Sequence, residues 1–209
     1  MTASPRLRRS RSSASRSTPE YDFPPLTEAD LPLIRRWLLE PHVSRWWADP
    51  PRAAYPDDEL EKYRRRISGD GDPTEIFFIR HEGRPIGFIQ CYRIDDHDEY
   101  GTALALDVPA AGVDLFIGEA ALIGKGHGPK LIRAFLRDVV FARYDVDECV
   151  IGPSVKNASA IRAYEKAGFT FFRDAHVPDE PDPEHLMRIR RDEVTTSSPG
   201  GVPGTRPVR

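Results

Sequence analysis

The sequence has no long apolar run, almost no cysteine and no complete nucleotide-binding fingerprint, and each of these gaps narrows what it can be. Only 39% of its 209 residues are hydrophobic and mean hydropathy is −0.51, so no segment reaches the roughly 20 apolar residues a membrane helix requires. A membrane-spanning chain is thereby excluded, and no membrane partner is expected. The N-terminal stretch also lacks the hydrophobic region of a signal peptide. The two cysteines, Cys91 and Cys149, each lie inside an apolar run, at a spacing that makes neither a disulfide framework nor a zinc site. Both are expected to be buried thiols that pack and do not attack, in a reducing, cytoplasmic compartment, and no metal is expected.

Charge is unevenly spread. Residues 1–19 carry five arginines and no acid, so a whole-chain charge of −3 leaves the remainder at −8. That Ser-, Arg- and Pro-rich stretch is expected to be disordered over residues 1–20, and a Ser/Pro/Gly-rich stretch over 193–209 to be a second flexible tail. Outside the basic arm the acidic balance gives no support for nucleic-acid binding. Residues 21–192 then form one domain, long enough to bury about 70% of its unfolded surface.

Within that domain Tyr21–Leu26 reads as a short edge strand, the only place its two prolines are tolerated. Thr27 followed by Asp30 resembles a capping box, and Leu31, Ile34, Trp37 and Leu38 line one face of a helix ending near Pro41. Pro56–Ser68 reads as a second, charged helix. Thr74–Arg80 and Pro85–Ile94, joined by His81–Arg84, predict a β-hairpin. After a loop over Asp95–Ala111, Gly112–Ile117 alternates as a strand with Asp114 and Phe116 on one face. A helix rich in Leu131, Ile132, Phe135, Leu136, Val139 and Val140 follows. Next come a short strand at Cys149–Ile151, a helix over Asn157–Lys166, and closing strands at Phe169–Arg173 and His185–Ile189. The fold class is α+β, with a twisted, mostly antiparallel mixed sheet flanked by helices.

The turn Gly124-Lys125-Gly126-His127-Gly128 stands between that central strand and an amphipathic helix. It gathers unhindered backbone N–H groups at the positive end of a helix dipole, which makes an anion site suited to a pyrophosphate. It is not a Walker A loop, because no Gly-Lys-Ser/Thr closes it, and the full Gly-x-Gly-x-x-Gly fingerprint is missing. About 30 residues on comes the segment from Pro153 through Asn157 and Tyr164 to Gly168-Phe169. Together the two motifs resemble the GNAT superfamily of acyl-CoA-dependent N-acyltransferases, over about residues 21–191. One position departs from that pattern: Ile123 stands where the family usually has Gln or Arg before the glycine turn.

The resemblance implies acetyl-CoA as co-substrate. Its pyrophosphate would lie on the amides of Gly124, Lys125, Gly126, His127, Gly128, Pro129 and Lys130, excepting the proline, which has no N–H. Its pantetheine would run along the Phe116, Ile117 and Gly118 strand edge and touch Asn157, with Tyr164 as general acid to the leaving thiolate. Transfer is then direct, from a thioester polarised by backbone N–H groups to a neutral amine.

For the acceptor, the stretch Asp95–Glu119 holds Asp95, Asp96, Asp98, Glu99, Asp107, Asp114 and Glu119 with no Lys or Arg, a field that attracts a polycation. Asp114, a carboxylate inside an apolar strand, is the expected ammonium anchor and general base. The segment His42–Trp47 with its pair Trp46-Trp47, the strand entry Gly112-Val113-Asp114 and the segment Ser154–Phe169 resemble the aminoglycoside 6′-N-acetyltransferases. That likeness implies a small-molecule amine acceptor contacted by Trp46, Trp47, Asp95, Asp98, Glu99 and Asp114, and an enzyme acting as monomer or dimer. Lysine N-acyltransferases of siderophore assembly share the glycine turn and the early Trp-containing segment and are the alternative. A non-catalytic acetyl-CoA sensor is a second alternative, which the presence of both Asp114 and Tyr164 argues against.

Overall fold

The computed structural model describes residues 19–47, 55–178 and 180–195. Its seven strands form one sheet: β1 (Tyr21–Asp22), β2 (Glu75–His81), β3 (Arg84–Arg93), β4 (Ala110–Ile117), β5 (Glu148–Ile151), β6 (Thr170–Ala175) and β7 (Glu184–Arg190). Their spatial order is β1-β2-β3-β4-β5-β7-β6, and every neighbouring pair is antiparallel except β4 and β5. The parallel ladder joins Ala110–Gly112 to Glu148–Val150 and ends there, while β4 runs on to Ile117. From Val113 onward β4 is therefore held by β3 on one side and leaves its other edge to the cleft between the diverging strands.

Alternation along β2, β3 and β4 feeds two cores. On one face Phe77, Ile79, Ile89, Cys91 and Val113 pack beneath α5 (His127–Phe135), with Leu131, Ile132 and Phe135 as the helix's buried stripe. On the other, Ile76, Phe78, Phe88 and Phe116 meet α1 (Leu31–Leu38) and α3 (Asp57–Ser68) through Ile34, Trp37, Leu38, Leu60 and Tyr63. Trp37 and Tyr63 are almost wholly buried, and each such side chain removed from water contributes on the order of 2–3 kcal/mol.

Several expectations are refined. The Asp30 carboxylate accepts from the Thr27 N–H at 2.9 Å and from its hydroxyl at 2.6 Å, but this box opens a 3₁₀ turn over Glu28–Asp30, and α1 begins only at Leu31. The first helix ends at Leu38, near Pro41 as expected, but Pro41 also opens a separate helix α2 (Pro41–Trp47), since a proline at a first helical position sacrifices no hydrogen bond. The segment expected as a loop over Asp95–Ala111 contains a 3₁₀ turn at Ile94–Asp96 and a helix α4 (Asp98–Leu104), and β4 already starts at Ala110. Asp98 and Glu99 suit the first turn of α4 by the helix dipole, and Leu104 buries against Ile94 and Ala110. The helix after the glycine turn passes through a π-helical segment, Leu136–Val140, before finishing as α6 (Phe141–Arg143). Downstream lie α7 (Ala158–Ala167) and α8 (Arg191–Thr195).

Candidate active site

Gly124 and Gly126 sit at φ 73° and 84°, and a Cβ on either would meet nothing within 4 Å. Glycine is therefore required here for backbone conformation and not for space. Gly126 caps α5, so the N–H groups of His127 and Gly128 lie in its first turn, where no intrahelical acceptor exists, whereas the Lys130 N–H, four residues past the cap, is the first placed to bond back within the helix. The Lys125 N–H turns back to the Leu122 carbonyl at 3.4 Å. His127 packs its ring against His81, with centroids 4.7 Å apart, and its Nδ1 lies 2.7 Å from the Tyr21 hydroxyl. Burial first, then the neighbouring His81 and Lys130, lower its pKa, so the ring is neutral at neutral pH.

The strand edge beyond Gly112 ends against α1 and α2. Phe116 turns its ring into the core between Phe88 and Trp47. A Cβ on Gly118 would fall inside the Trp37 indole, which explains glycine there. Trp37 Nε1 donates to Glu119 at 2.9 Å, and the His42 ring nitrogen donates to the Ile117 carbonyl at 3.1 Å, tying both helices to the end of β4.

Between the strands opens a cleft of about 450 Å³. Its walls include Trp46 and Trp47 from α2, Arg66 from α3, Gln90 and Tyr92 from β3, Tyr100 from α4, Asp114 from β4, Asn157 before α7, Tyr164 from α7 and Glu184 from β7. Asp114, Tyr164, Asn157, Trp46 and Trp47 thus come together in one cleft, whereas residues 116–118 and the glycine turn over 124–130 are not part of its lining. Asp95, Asp98 and Glu99 do not join them: all three are exposed outside this lining, Asp95 at 3.9 Å from Arg93 and the other two in the first turn of α4. The acidic run that drew attention to them is divided between a helix start and the cleft.

Inside the cleft Asp114 accepts from Gln90 Nε2 at 2.9 Å and also interacts with the Tyr92 hydroxyl. Burial raises its pKa, against the opposing pull of Gln90 and the Arg66 charge. Tyr164 is raised too, by burial and then by Asp114, so it stays a protonated phenol. Asn157 spends its side-chain oxygen on the Ala160 N–H at 3.1 Å, capping α7. Trp47 donates from Nε1 to the Tyr63 hydroxyl at 2.9 Å and packs edge-on to Phe116, whereas Trp46 is exposed with the Arg45 guanidinium 5.0 Å above its ring. Both thiols are buried; burial pushes Cys91 up to about 12 and Cys149 well above its ordinary value, which leaves neither as a nucleophile.

Glu184 was not anticipated. It occupies the space a Cβ on Gly152 would need, accepts from the Tyr100 hydroxyl at 3.1 Å, and is pushed up to about 8 by burial and then by Asp114. Its position depends on β7 meeting the end of β5, which no local pattern encodes. Gln90 was more accessible to sequence reasoning, because the hairpin alternation puts it on the face of Phe88 and Tyr92, directly across from Asp114.

A sheet splayed beside its fourth strand, a glycine-capped helix at the splay and an acid–phenol pair in the cleft define an acyltransferase of the GNAT class. Residues 27–177 match the family described as acetyltransferase (GNAT) domain. The aminoglycoside N(6′)-acetyltransferase type 1 of Klebsiella pneumoniae is 31% identical over 156 residues, 75% of this chain and 77% of that protein. The chain belongs to the GNAT acetyltransferase family and is an N-acyltransferase. Among solved structures, aminoglycoside acetyltransferase AAC(6′)-Ib in complex with coenzyme A and kanamycin superposes with a TM-score of 0.69 at 28% identity, covering 85% of this chain and 98% of that one. A lysine N-acyltransferase, MbtK of Mycobacterium sp. (strain MCS), is 25% identical over 150 residues, 69% of this chain and 57% of that protein.

Proposed function

We propose that this enzyme transfers the acetyl group of acetyl-CoA to a primary amine of an aminoglycoside, at the 6′ position. The observation that carries this is the pairing of carboxylates from two strands, Asp114 and Glu184, in a cleft flanked by the Trp46-Trp47 pair, where β4 and β5 part. The likeness to aminoglycoside N(6′)-acetyltransferases supports the same acceptor.

Acetyl-CoA places its pyrophosphate on the first-turn amides of α5 and its pantetheine along the free edge of β4 past Val113. The acceptor enters as a cation, since an alkylamine near pKa 10 is almost wholly protonated at neutral pH. Asp114 holds the reacting ammonium and takes its proton. The freed amine attacks the thioester carbon, the C–S bond breaks, Tyr164 gives its phenolic proton to the departing thiolate, and the second proton shed by the acylated nitrogen restores the phenol. Glu184, protonated at neutral pH in the empty cleft, gives up its proton as a second ammonium of the same molecule docks beside it. Trp46 and Trp47 offer apolar faces to a sugar ring.

The test is thiol release from acetyl-CoA against kanamycin, tobramycin, lysine, N6-hydroxylysine and spermidine, with the product position read by NMR. Turnover on the aminoglycosides with a 6′-acetyl product supports the proposal. Turnover confined to lysine derivatives, especially with a longer acyl-CoA, overturns it.

A further inference from the structure

A chain of side chains runs behind Asp114, and it starts on a different element. Arg66, in the last turn of α3 and mostly buried, donates from Nε to Asp72 at 2.6 Å and from Nη1 to the Gln90 Oε1 at 2.8 Å. Gln90, only 9% exposed, then donates from Nε2 to the Asp114 Oδ2 at 2.9 Å. Asp72 is itself fixed by the Thr74 N–H at 2.9 Å, in the turn between α3 and β2.

The amide in the middle has one workable orientation. A guanidinium only donates and an ionised carboxylate only accepts, so Gln90 must turn its oxygen to Arg66 and its NH₂ to Asp114. Without Arg66 nothing in this chain prevents the amide from rotating and presenting a carbonyl oxygen to the carboxylate. The Asp114 ion would then lose a donor and gain a repulsive dipole in a desolvated site.

We propose that Arg66 is a positioning residue for acetyl transfer, acting through Gln90 to present an N–H to Asp114 and so keep that carboxylate ionised and aimed at the acceptor amine. The inference rests on the base role of Asp114. The other groups around that carboxylate are Tyr92 on β3, His97 before α4, Tyr100 on α4, Tyr164 on α7, Glu184 on β7 and Cys149 on β5. Of these His97 and the Tyr92 hydrogen bond favour the ionised form, and Glu184 opposes it when charged. Only the Gln90 contact is set by a buried cation on another element.

The experiment is the pH profile of kcat/KM for the full chain and for Arg66→Met, Gln90→Leu and the double variant, with acetyl-CoA and the amine that the full chain turns over. Removing support from the ionised form raises the pKa, so the acid limb of each single variant should move to higher pH by about one unit. The double variant should move by clearly less than the sum of the two single shifts, because the part that runs through Gln90 counts once and only the direct pull of the Arg66 charge adds to it. Coenzyme A affinity should change less than about twofold. An acid limb coincident with that of the full chain in Arg66→Met, or additive shifts in the double variant, overturns the proposal. Should Arg66→Met fail to fold, Arg66→Lys decides: it keeps the charge but cannot bridge Asp72 and Gln90 at once, so a displaced limb supports the relay and an unmoved one overturns it. Asp114→Ala separates the two levels: full turnover in that variant removes the base role itself, whereas lost turnover with unmoved Arg66 limbs removes only the relay.

Discussion

Asp114 and Glu184 face one cleft from β4 and β7, and burial pushes both carboxyls toward the neutral form. Their consequences differ. Asp114→Ala should lower kcat by about 10²–10⁴-fold, the span of general acid–base catalysis, with coenzyme A binding by calorimetry nearly unchanged. Equal loss of both would place Asp114 in the structure of the cleft and not in the chemistry. Tyr164→Phe should slow transfer by about 10²-fold, and an unchanged rate would return the phenol to packing against Phe169. For Glu184 the sign follows from its raised pKa: from about pH 4.5 to about 8 the folded chain keeps a proton that the unfolded chain releases. Its contribution to stability is therefore full below about 4.5 and lost as pH rises through about 8. Thermal melting of the ligand-free protein across that range should show a fall that Glu184→Gln flattens; equal slopes would contradict the placement of this carboxyl in a desolvated cleft.

At the scale of elements, two glycines separate conformation from space. Gly126→Ala meets no atom but forces a left-handed alanine at the cap of α5, at a cost of about 1–2 kcal/mol, and should raise KM for acetyl-CoA. Gly118→Ala would drive a methyl group into the Trp37 indole, an overpacking worth about 1–3 kcal/mol, and should lower the melting temperature together with activity. The same scale explains what the sequence made legible. The glycine turn, the helix over Asn157–Lys166 and the alternation around Asp114 are local patterns, and each appears as an element close to where its residues predict it. The helix α4 was missed because its buried residues are few, although Tyr100, Ala103 and Leu104 do follow helical spacing. Glu184 beside Gly152 and Arg66 behind Gln90 depend on strand register and helix docking between segments distant in the chain, which a single sequence does not encode locally.

For the molecule as a whole, the single parallel pair in an otherwise antiparallel sheet creates the site. Because β4 and β5 part after Gly112 and Val150, an opening forms whose wall includes the Asn157-capped α7, with the glycine-capped α5 packed beside that helix. On the proposed reading donor and acceptor meet at this gap in the sheet, whose carboxylates come from β4 and β7. Direct transfer between them needs no covalent enzyme intermediate, in keeping with two thiols that are buried and protonated. The central claim is that the cleft acetylates an aminoglycoside amine with Asp114 as base, and the most direct measurement is the rate of coenzyme A release from acetyl-CoA with kanamycin as acceptor, for the full chain and for Asp114→Asn. The account predicts steady turnover with a 6′-acetylated product, reduced at least about 10²-fold in the variant. No kanamycin turnover despite measurable coenzyme A binding, or an undiminished rate in Asp114→Asn, would contradict it.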